Sequence, residues 1–195
     1  MKSKDIKYVL NIAMRLTVIV AVVVAMLATV NAVTKDRIAE NNAASRNAAC
    51  GERIEGAAFE SFDISALNVD YSEITNFDKN SVAVWRGTKN GELAGWCVEV
   101  TGKGYSSDGI GLIVGISADG QTVLGVRCVS SSETSGIGSK VVSDDYLSNF
   151  ADRASSEVAS VDAVSGATRT SRGVKDGIKA AAACVRAIIE QEGGR

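Results

Sequence analysis

Ile110-Gly-Leu-Ile-Val-Gly-Ile-Ser117, then Ala118-Asp119-Gly120-Gln121, then Thr122-Val-Leu-Gly-Val-Arg-Cys-Val129: this run decides the fold. Two stretches rich in β-branched residues flank a short polar connector with Asp-Gly at its centre, the pattern of a β-hairpin. Working backward, Ser81–Arg86 (SVAVWR) and Glu92–Thr101 (ELAGWCVEVT) carry the same β-branched and aromatic enrichment. Together they predict an antiparallel sheet of about four strands. Glycines inside these runs suggest bends or the close approach of another group. Working forward, Ser143–Asp152 reads as helical, with Ser143 as cap and two acids in its first turn. A short strand is expected within Val158–Val164. A long helix follows from Ser171 to Gln191, with Val174, Ile178, Ala181, Ala182 and Val185 at helical spacing and Gly193-Gly194 as its stop. Residues 56–80 give only a short helix, expected at Ala57–Phe62. The fold class is α+β.

Upstream of this domain the chain changes character. Lys2, Lys4 and Lys7 precede Arg15, and Leu16 to Val33 is almost wholly apolar, interrupted by Thr17, Thr29 and Asn31. As a helix that stretch reaches about 27 Å, close to the ~30 Å of a bilayer's hydrocarbon core. Two readings compete, a retained anchor and a cleaved signal peptide with Val30-Asn31-Ala32 as its cleavage site. The run exceeds the ~7–15 residues of a signal peptide's apolar region, which favours the anchor. The basic N-terminal flank favours a cytoplasmic N-terminus, although Lys35 and Arg37 dilute the asymmetry. The polar, Ala-rich stretch from Thr34 extends the helix as a stalk, with Gly51 marking its end. The expected division is a cytoplasmic 1–8, a transmembrane helix at 9–33, a stalk at 34–50 and a domain from 51 to 195.

Composition removes several chemistries. The chain has 195 residues, a formal charge of -2 and no histidine. Without histidine there is no Ser-His-Asp triad, no His-paired cysteine nucleophile and no His-ligated zinc. The charge and the lack of a basic block argue against nucleic acid as a partner. Cys50, Cys97, Cys128 and Cys184 form no CxxC pair, so a zinc knuckle is not expected. They read as buried small hydrophobes, or Cys97 and Cys128, both on expected strands, as a disulfide.

One stretch, Asp162-Ala-Val-Ser165-Gly166-Ala167-Thr168-Arg169-Thr170-Ser171, calls for chemistry beyond packing. Its small residues leave the backbone open to a ligand, and a helix is expected to start within two or three residues of Thr168. A helix start presents unpaired N–H groups and a positive dipole end, which favour an anion such as a phosphate. The simpler reading is a tight turn with Thr170 or Ser171 as N-cap. Both readings stand on the local pattern.

The Asp-x-x-Ser-Gly-Ala-Thr run resembles the flavinylation motif of the FMN-binding domain family, which includes the G subunit of Rnf-type ferredoxin:NAD oxidoreductases and the C subunit of the sodium-pumping NADH:quinone oxidoreductase. Gly102-Lys103-Gly104-Tyr105 before the 110–117 strand is similar to the G subunit's lead-in to its sheet. Glu133-Thr134-Ser135-Gly136-Ile137-Gly138 is similar to its Glu-Thr-Pro-Gly-Leu-Gly loop, with Ser135 in place of the proline. The single N-terminal anchor matches too. The likeness runs from the anchor to the last helix, is weakest at residues 50–80, and favours the shorter G subunit.

The resemblance implies FMN held covalently through a phosphoester to Thr168. Ser165, Gly166, Ala167 and Thr170 would surround its phosphate and ribityl chain, with Arg169 or Arg172 balancing the charge. The loop residues Glu133, Thr134, Gly136, Ile137, Gly138 and Lys140 would line the ring, the amides of Gly136, Gly138 and Lys140 reaching its polar edge. Lys140 also reads as an ordinary surface charge. Asp162 is implied in recognition by the flavin transferase. Trp85 and Trp96 could stack on the ring, or could be core residues. By this reading the protein is an electron-carrier subunit of an ion-pumping complex, its domain extracytoplasmic and its anchor in the cell membrane. Its partners would be the complex's other membrane subunits, a second flavinylated one among them. The alternative is a membrane-anchored FMN-binding module of another extracytoplasmic reductase.

Overall fold

In the computed structural model, which describes residues 3–50 and 56–193, the hairpin lies inside a six-stranded antiparallel sheet whose strands follow sequence order. The strands are β1 (Ala58–Phe62), β2 (Phe77–Lys89), β3 (Glu92–Gly102), β4 (Ile110–Ser117), β5 (Thr122–Ser131) and β6 (Arg153–Ala154). Helix α1 is Ser3–Cys50, α2 is the single turn Asp144–Leu147, and α3 is Thr168–Gly193. The class is α+β, as the sequence predicts.

Alternation along the strands sorts the two faces of the sheet. Trp96, Val98 and Val100 of β3 lie opposite Ile116, Val114 and Leu112 of β4, all fully buried. Against this face packs α3, through Val174, Ile178, Ala181, Ala182, Val185 and Ile188. The five positions expected at helical spacing are thus all in the core. The other face carries a smaller cluster around Cys97 and Ile113, with Trp85, Phe59, Leu124 and Val129 beside it.

Contact between helix and sheet is closest at the helix's N-terminal end, and glycine is the reason. A Cβ built on Gly102 would sit 2.3 Å from the Gly173 carbonyl oxygen, and one on Gly173 would sit 2.5 Å from the Lys103 carbonyl oxygen. No side chain fits at either position without moving backbone. The end of β3 and the first turns of α3 therefore touch main chain to main chain.

Several expectations are corrected. Ala57–Phe62 holds strand β1 and no helix: Ala58 to Phe62 pairs with Thr88 to Val84, and Phe59 and Phe62, three apart, join the clusters on opposite faces of the sheet. The sheet has six strands because β1 and the two-residue β6 close its edges. Ser143–Asp152 is α2 followed by a 3-10 turn at Ser148–Phe150. Ser143 does precede α2, but its hydroxyl donates to the Lys140 carbonyl (2.7 Å) and does not cap the helix. Within Val158–Val164 there is no strand; Ser155–Ser160 is a 3-10 helix, with Ser155 buried against the Arg186 guanidinium (3.0 Å). Cys97 and Cys128 lie on β3 and β5, two strands apart and in different side-chain clusters, and no disulfide joins them. The expected stops at Gly51 and Gly194 lie outside the described residues, as does the Cys50 side chain.

Helix α1 as far as Ala43 forms a unit of its own. Its stretch Leu10–Lys35, with mean hydropathy 2.5, spans about 39 Å at ~1.5 Å per residue, long and apolar enough to cross a bilayer. The hydroxyls that interrupt it are satisfied within the helix. Thr17 donates to the Ala13 carbonyl (2.9 Å), Thr29 to Ala25 (2.8 Å) and Thr34 to Val30 (2.7 Å). A threonine so bonded exposes little unpaired polarity to hydrocarbon.

Candidate functional site

Helix α3 starts at Thr168, three residues earlier than expected, so Thr170 and Ser171 lie inside its first turn. Neither caps it. The buried Ser171 hydroxyl instead ties the approaching chain to the helix: it donates to the Ala167 carbonyl (3.1 Å) and accepts the Val164 N–H (3.1 Å). The Ala167 N–H closes the turn onto the Val164 carbonyl (2.9 Å). Gly166 stands in this turn at φ +79, a left-handed conformation that costs a side-chain-bearing residue energy and glycine little. The first bond back along the helix runs from the Ser171 N–H to Ala167 (2.9 Å), which leaves the preceding amides pointing out of the helix start. Thr168 is exposed there, between the buried Ala167 and the exposed Arg169.

The 132–140 loop meets this helix start through Glu133. Its Oε2 accepts the Thr170 hydroxyl (2.6 Å) and its Oε1 accepts the Ser106 N–H (2.9 Å). Two glycines make room for the carboxylate: a Cβ on Gly104 would sit 2.3 Å from Oε1, and one on Gly138 2.7 Å from Oε2. One side chain thereby joins the β3–β4 connection, the 132–140 loop and α3. The loop is also braced internally. Ile137 and Ser139 donate their N–H groups to the Thr134 carbonyl (3.3 and 3.2 Å), and Gly136 donates its own to the Ser139 hydroxyl (2.9 Å).

Where the three segments meet lies a hollow of about 280 Å³, lined by Tyr105, Glu133, Thr134, Ile137, Gly138, Gly166, Ala167, Arg169 and Thr170. Ligand pockets commonly run from ~300 to ~1,000 Å³, so the space suits one ring system better than a whole nucleotide. All but two of these residues were expected from the sequence as neighbours of a ring or ribityl chain, and Arg169 was expected as a countercharge. The structure adds Tyr105.

Other expected residues fall outside the lining. Ser165 and Thr168 are exposed beside it, and Gly136 and Lys140 lie on the loop without facing it. The Gly136 amide is bonded to Ser139 and the Lys140 amide to the Ile137 carbonyl (3.2 Å), so neither is available to a ring edge in this conformation. Asp162 lies apart, on a second hollow with Tyr146, Asn149 and Arg153, where its carbonyl accepts the Tyr146 hydroxyl (3.0 Å). Burial pushes that hydroxyl's pKa above its ordinary value. Trp96 is buried in the core with its ring edge-on to Phe62, and Trp85 belongs to the cluster on the other face of the sheet. Neither tryptophan lines the hollow.

A family model described as FMN-binding domain matches residues 104–183, and one described as RnfG N-terminal region matches residues 1–52. The G subunit of the Na(+)-translocating ferredoxin:NAD(+) oxidoreductase complex of Acetobacterium woodii is 31% identical over 190 residues, covering 89% of this chain and 90% of that one. The chain belongs to the G-subunit family of ion-translocating oxidoreductase complexes. The G subunit of the ion-translocating oxidoreductase complex of Methanosarcina acetivorans is 29% identical over 197 residues, 97% of this chain and 99% of that one. Among solved structures, NqrC of Shewanella oneidensis shares the fold at a TM-score of 0.50 and 24% identity, over 69% of this chain and 75% of that one. In this member of the G-subunit family the FMN-binding match takes in every residue that lines the hollow.

Proposed function

We propose that the protein is an electron-carrier subunit of a membrane-bound, ion-translocating ferredoxin:NAD oxidoreductase, and that it carries FMN through a phosphoester to Thr168. The observation that carries this reading is the placement of Thr168. It is exposed at the first position of a helix of 26 residues, and residues on both sides of it line the hollow. A group tethered there would start at the helix N-terminus, between the lining residues Ala167 and Arg169.

The residues fit the group. The helix start and Arg169 offset the charge of a phosphodiester. Tyr105, Ile137 and Ala167 give the hollow apolar surface, while Glu133, Thr134 and Thr170 give it polar groups. Ester formation joins the Thr168 oxygen to phosphorus, releases the hydroxyl proton and breaks an anhydride bond of the activated flavin donor. When bound, FMN supplies the redox chemistry, and the chain positions it and tunes its potential. Glu133 holds the three segments in register, and Ser171 fixes the turn that presents Thr168.

Residues 9–33 serve as the membrane anchor and 34–50 as a stalk. The basic N-terminal flank favours residues 1–8 in the cytoplasm and the domain from 51 outside it. The transferase that attaches the flavin reads Asp162, which stands clear of the hollow on its own surface. The partners are the complex's other membrane subunits, including a second flavinylated one. A membrane-anchored FMN module serving a different extracytoplasmic reductase is the competing reading, and co-purification separates the two.

Intact mass tests the attachment. Chain produced together with the flavin transferase should be heavier than the bare polypeptide by one esterified FMN, and the Thr168→Ala variant should match the bare mass. A bare wild-type chain, or an adduct that survives in Thr168→Ala, overturns the assignment.

A further inference from the structure

We propose that Asp176, which does not line the hollow, is a positioning residue for the flavin: through Asn76 it holds the β3–β4 connection against α3 and fixes that connection relative to Thr168. The inference rests on the reading that FMN is attached at Thr168.

In the sequence Asp176 is an ordinary helix acid, with Lys179 three positions on and its ammonium 3.9 Å from Oδ1. Its surroundings are not ordinary. The side chain is 13% exposed, and a carboxylate so withdrawn from water is costly unless donors surround it. Those donors come from 100 positions away. Oδ2 accepts both the Asn76 N–H (3.0 Å) and the Asn76 side-chain NH2 (2.8 Å).

Asn76 passes the grip onward. Its carbonyl accepts the Lys103 N–H at 2.7 Å, at the start of the β3–β4 connection. The Lys103 carbonyl in turn lies where a Cβ on Gly173 would meet it at 2.5 Å. Both polar groups of that one residue are therefore fixed. Next along the chain, Gly104 abuts the Glu133 carboxylate, which is bonded to Thr170.

Three residues of α3 thus hold the same connection: Thr170 through Glu133, Gly173 by direct contact, and Asp176 through Asn76. Spaced three apart, they lie along one face of the helix. The first two grip the connection near the helix start. The third, a turn further on, stops it from sliding along the helix axis. A site held in this way is organised before its ligand arrives.

Hydrogen exchange of the full-length protein in detergent, without flavin, reads the clasp itself. In Asp176→Ala, residues 102–106 should lose about tenfold or more of their protection, the scale of a hydrogen bond to a charged group, while β4 keeps its own. Asp176→Asn retains an oxygen that can accept both Asn76 donors, so it should exchange as wild type. Asn76→Ala keeps its main-chain bonds to Asp176 and Lys103 and should fall between. With FMN attached, Asp176→Ala should weaken the flavin's visible circular dichroism at unchanged adduct mass, and Asp176→Asn should restore it. Unchanged exchange at 102–106, or equal acceleration throughout the sheet, overturns the positioning role and leaves Thr168 untouched. So does Asp176→Asn matching Asp176→Ala, since the ion pair with Lys179 would then be what matters. Should Asp176→Ala fail to fold, wild-type exchange at 102–106 in Asn76→Ala overturns it as well. A wild-type chain without adduct removes the parent reading and the flavin's part in this one, whatever the exchange shows.

Discussion

The two ends of helix α3 are built by opposite means. At the C-terminal end, the Arg86 guanidinium lies 5.0 Å from the Trp96 ring and 5.2 Å from the Phe62 ring, and pairs with Glu192 near the end of the helix. Large side chains pack together at that end. At the N-terminal end the contact is made by Gly102 and Gly173, backbone against backbone, and the side chains beyond them line a hollow. Bulk closes one end. Its absence opens the other. One helix on one sheet thus separates stability from ligand access along a length of about 39 Å.

If that separation holds, the largest effect on stability should come from the closed end with no effect on the site. Trp96 is fully buried, and Trp96→Ala removes its whole ring from the core. The expected loss is about 3–5 kcal/mol, the usual range for such a truncation, read from thermal or denaturant unfolding of the domain. Below its own melting temperature the variant should still take FMN at Thr168 in wild-type yield. A folded Trp96→Ala variant that fails to be flavinylated would show that the two ends are coupled.

The same contrast explains what can be read in the sequence. The closed face is legible because β-branched strands and a periodic helix announce themselves through residue type and spacing. The β4–β5 hairpin and the buried face of α3 follow from that alone. Strand β1 escapes such a reading because an edge strand of five residues shows too little alternation to tell Ala-Phe-Glu-Ser-Phe from one helical turn. The site is legible only in part. Gly166, Thr168 and the 133–138 loop stand out through their motif, whereas Tyr105 reads merely as a neighbour of the sheet. An exposed tyrosine between two loop residues carries no periodic signal. Its place depends on where Glu133, 28 positions further along, puts its carboxylate. Ser171 looks like a helix cap in the sequence, and its actual bond to Val164 depends on a turn that only the fold creates.

The open end can be tested by restoring bulk to it. Gly173→Ala places a methyl 2.5 Å from the Lys103 carbonyl oxygen, so α3 must move off the end of β3. Overpacking of this kind costs about 1–3 kcal/mol, less than the loss expected for Trp96→Ala. Here, however, the yield of adduct at Thr168 should fall as well, because the helix start shifts relative to the Glu133 loop. Gly193→Ala is the control: an added methyl there meets nothing within 4 Å, and both stability and yield should stay at wild-type values. Full flavinylation in a destabilised Gly173→Ala variant would mean that close contact at this end serves packing alone.

The smallest effect should come from Glu133→Gln, for a reason rooted in the partners. Glu133 receives two donors of different kinds, the fixed Ser106 N–H and the rotatable Thr170 hydroxyl. Glutamine keeps one carbonyl oxygen for the Ser106 N–H and turns its amide NH2 toward Thr170. That hydroxyl can reverse and accept, since it carries both a proton and lone pairs. Both links survive without the charge, at a cost of about 0.5–1.5 kcal/mol, the scale of one ordinary hydrogen bond. Glu133→Ala has no such escape. It strands both donors and unties the β3–β4 connection from α3, so it should cost more than Glu133→Gln in unfolding experiments and blur the flavin's visible bands by loosening the loops. Equal losses in the two variants would mean that the negative charge, and not the bridge, holds the open end together.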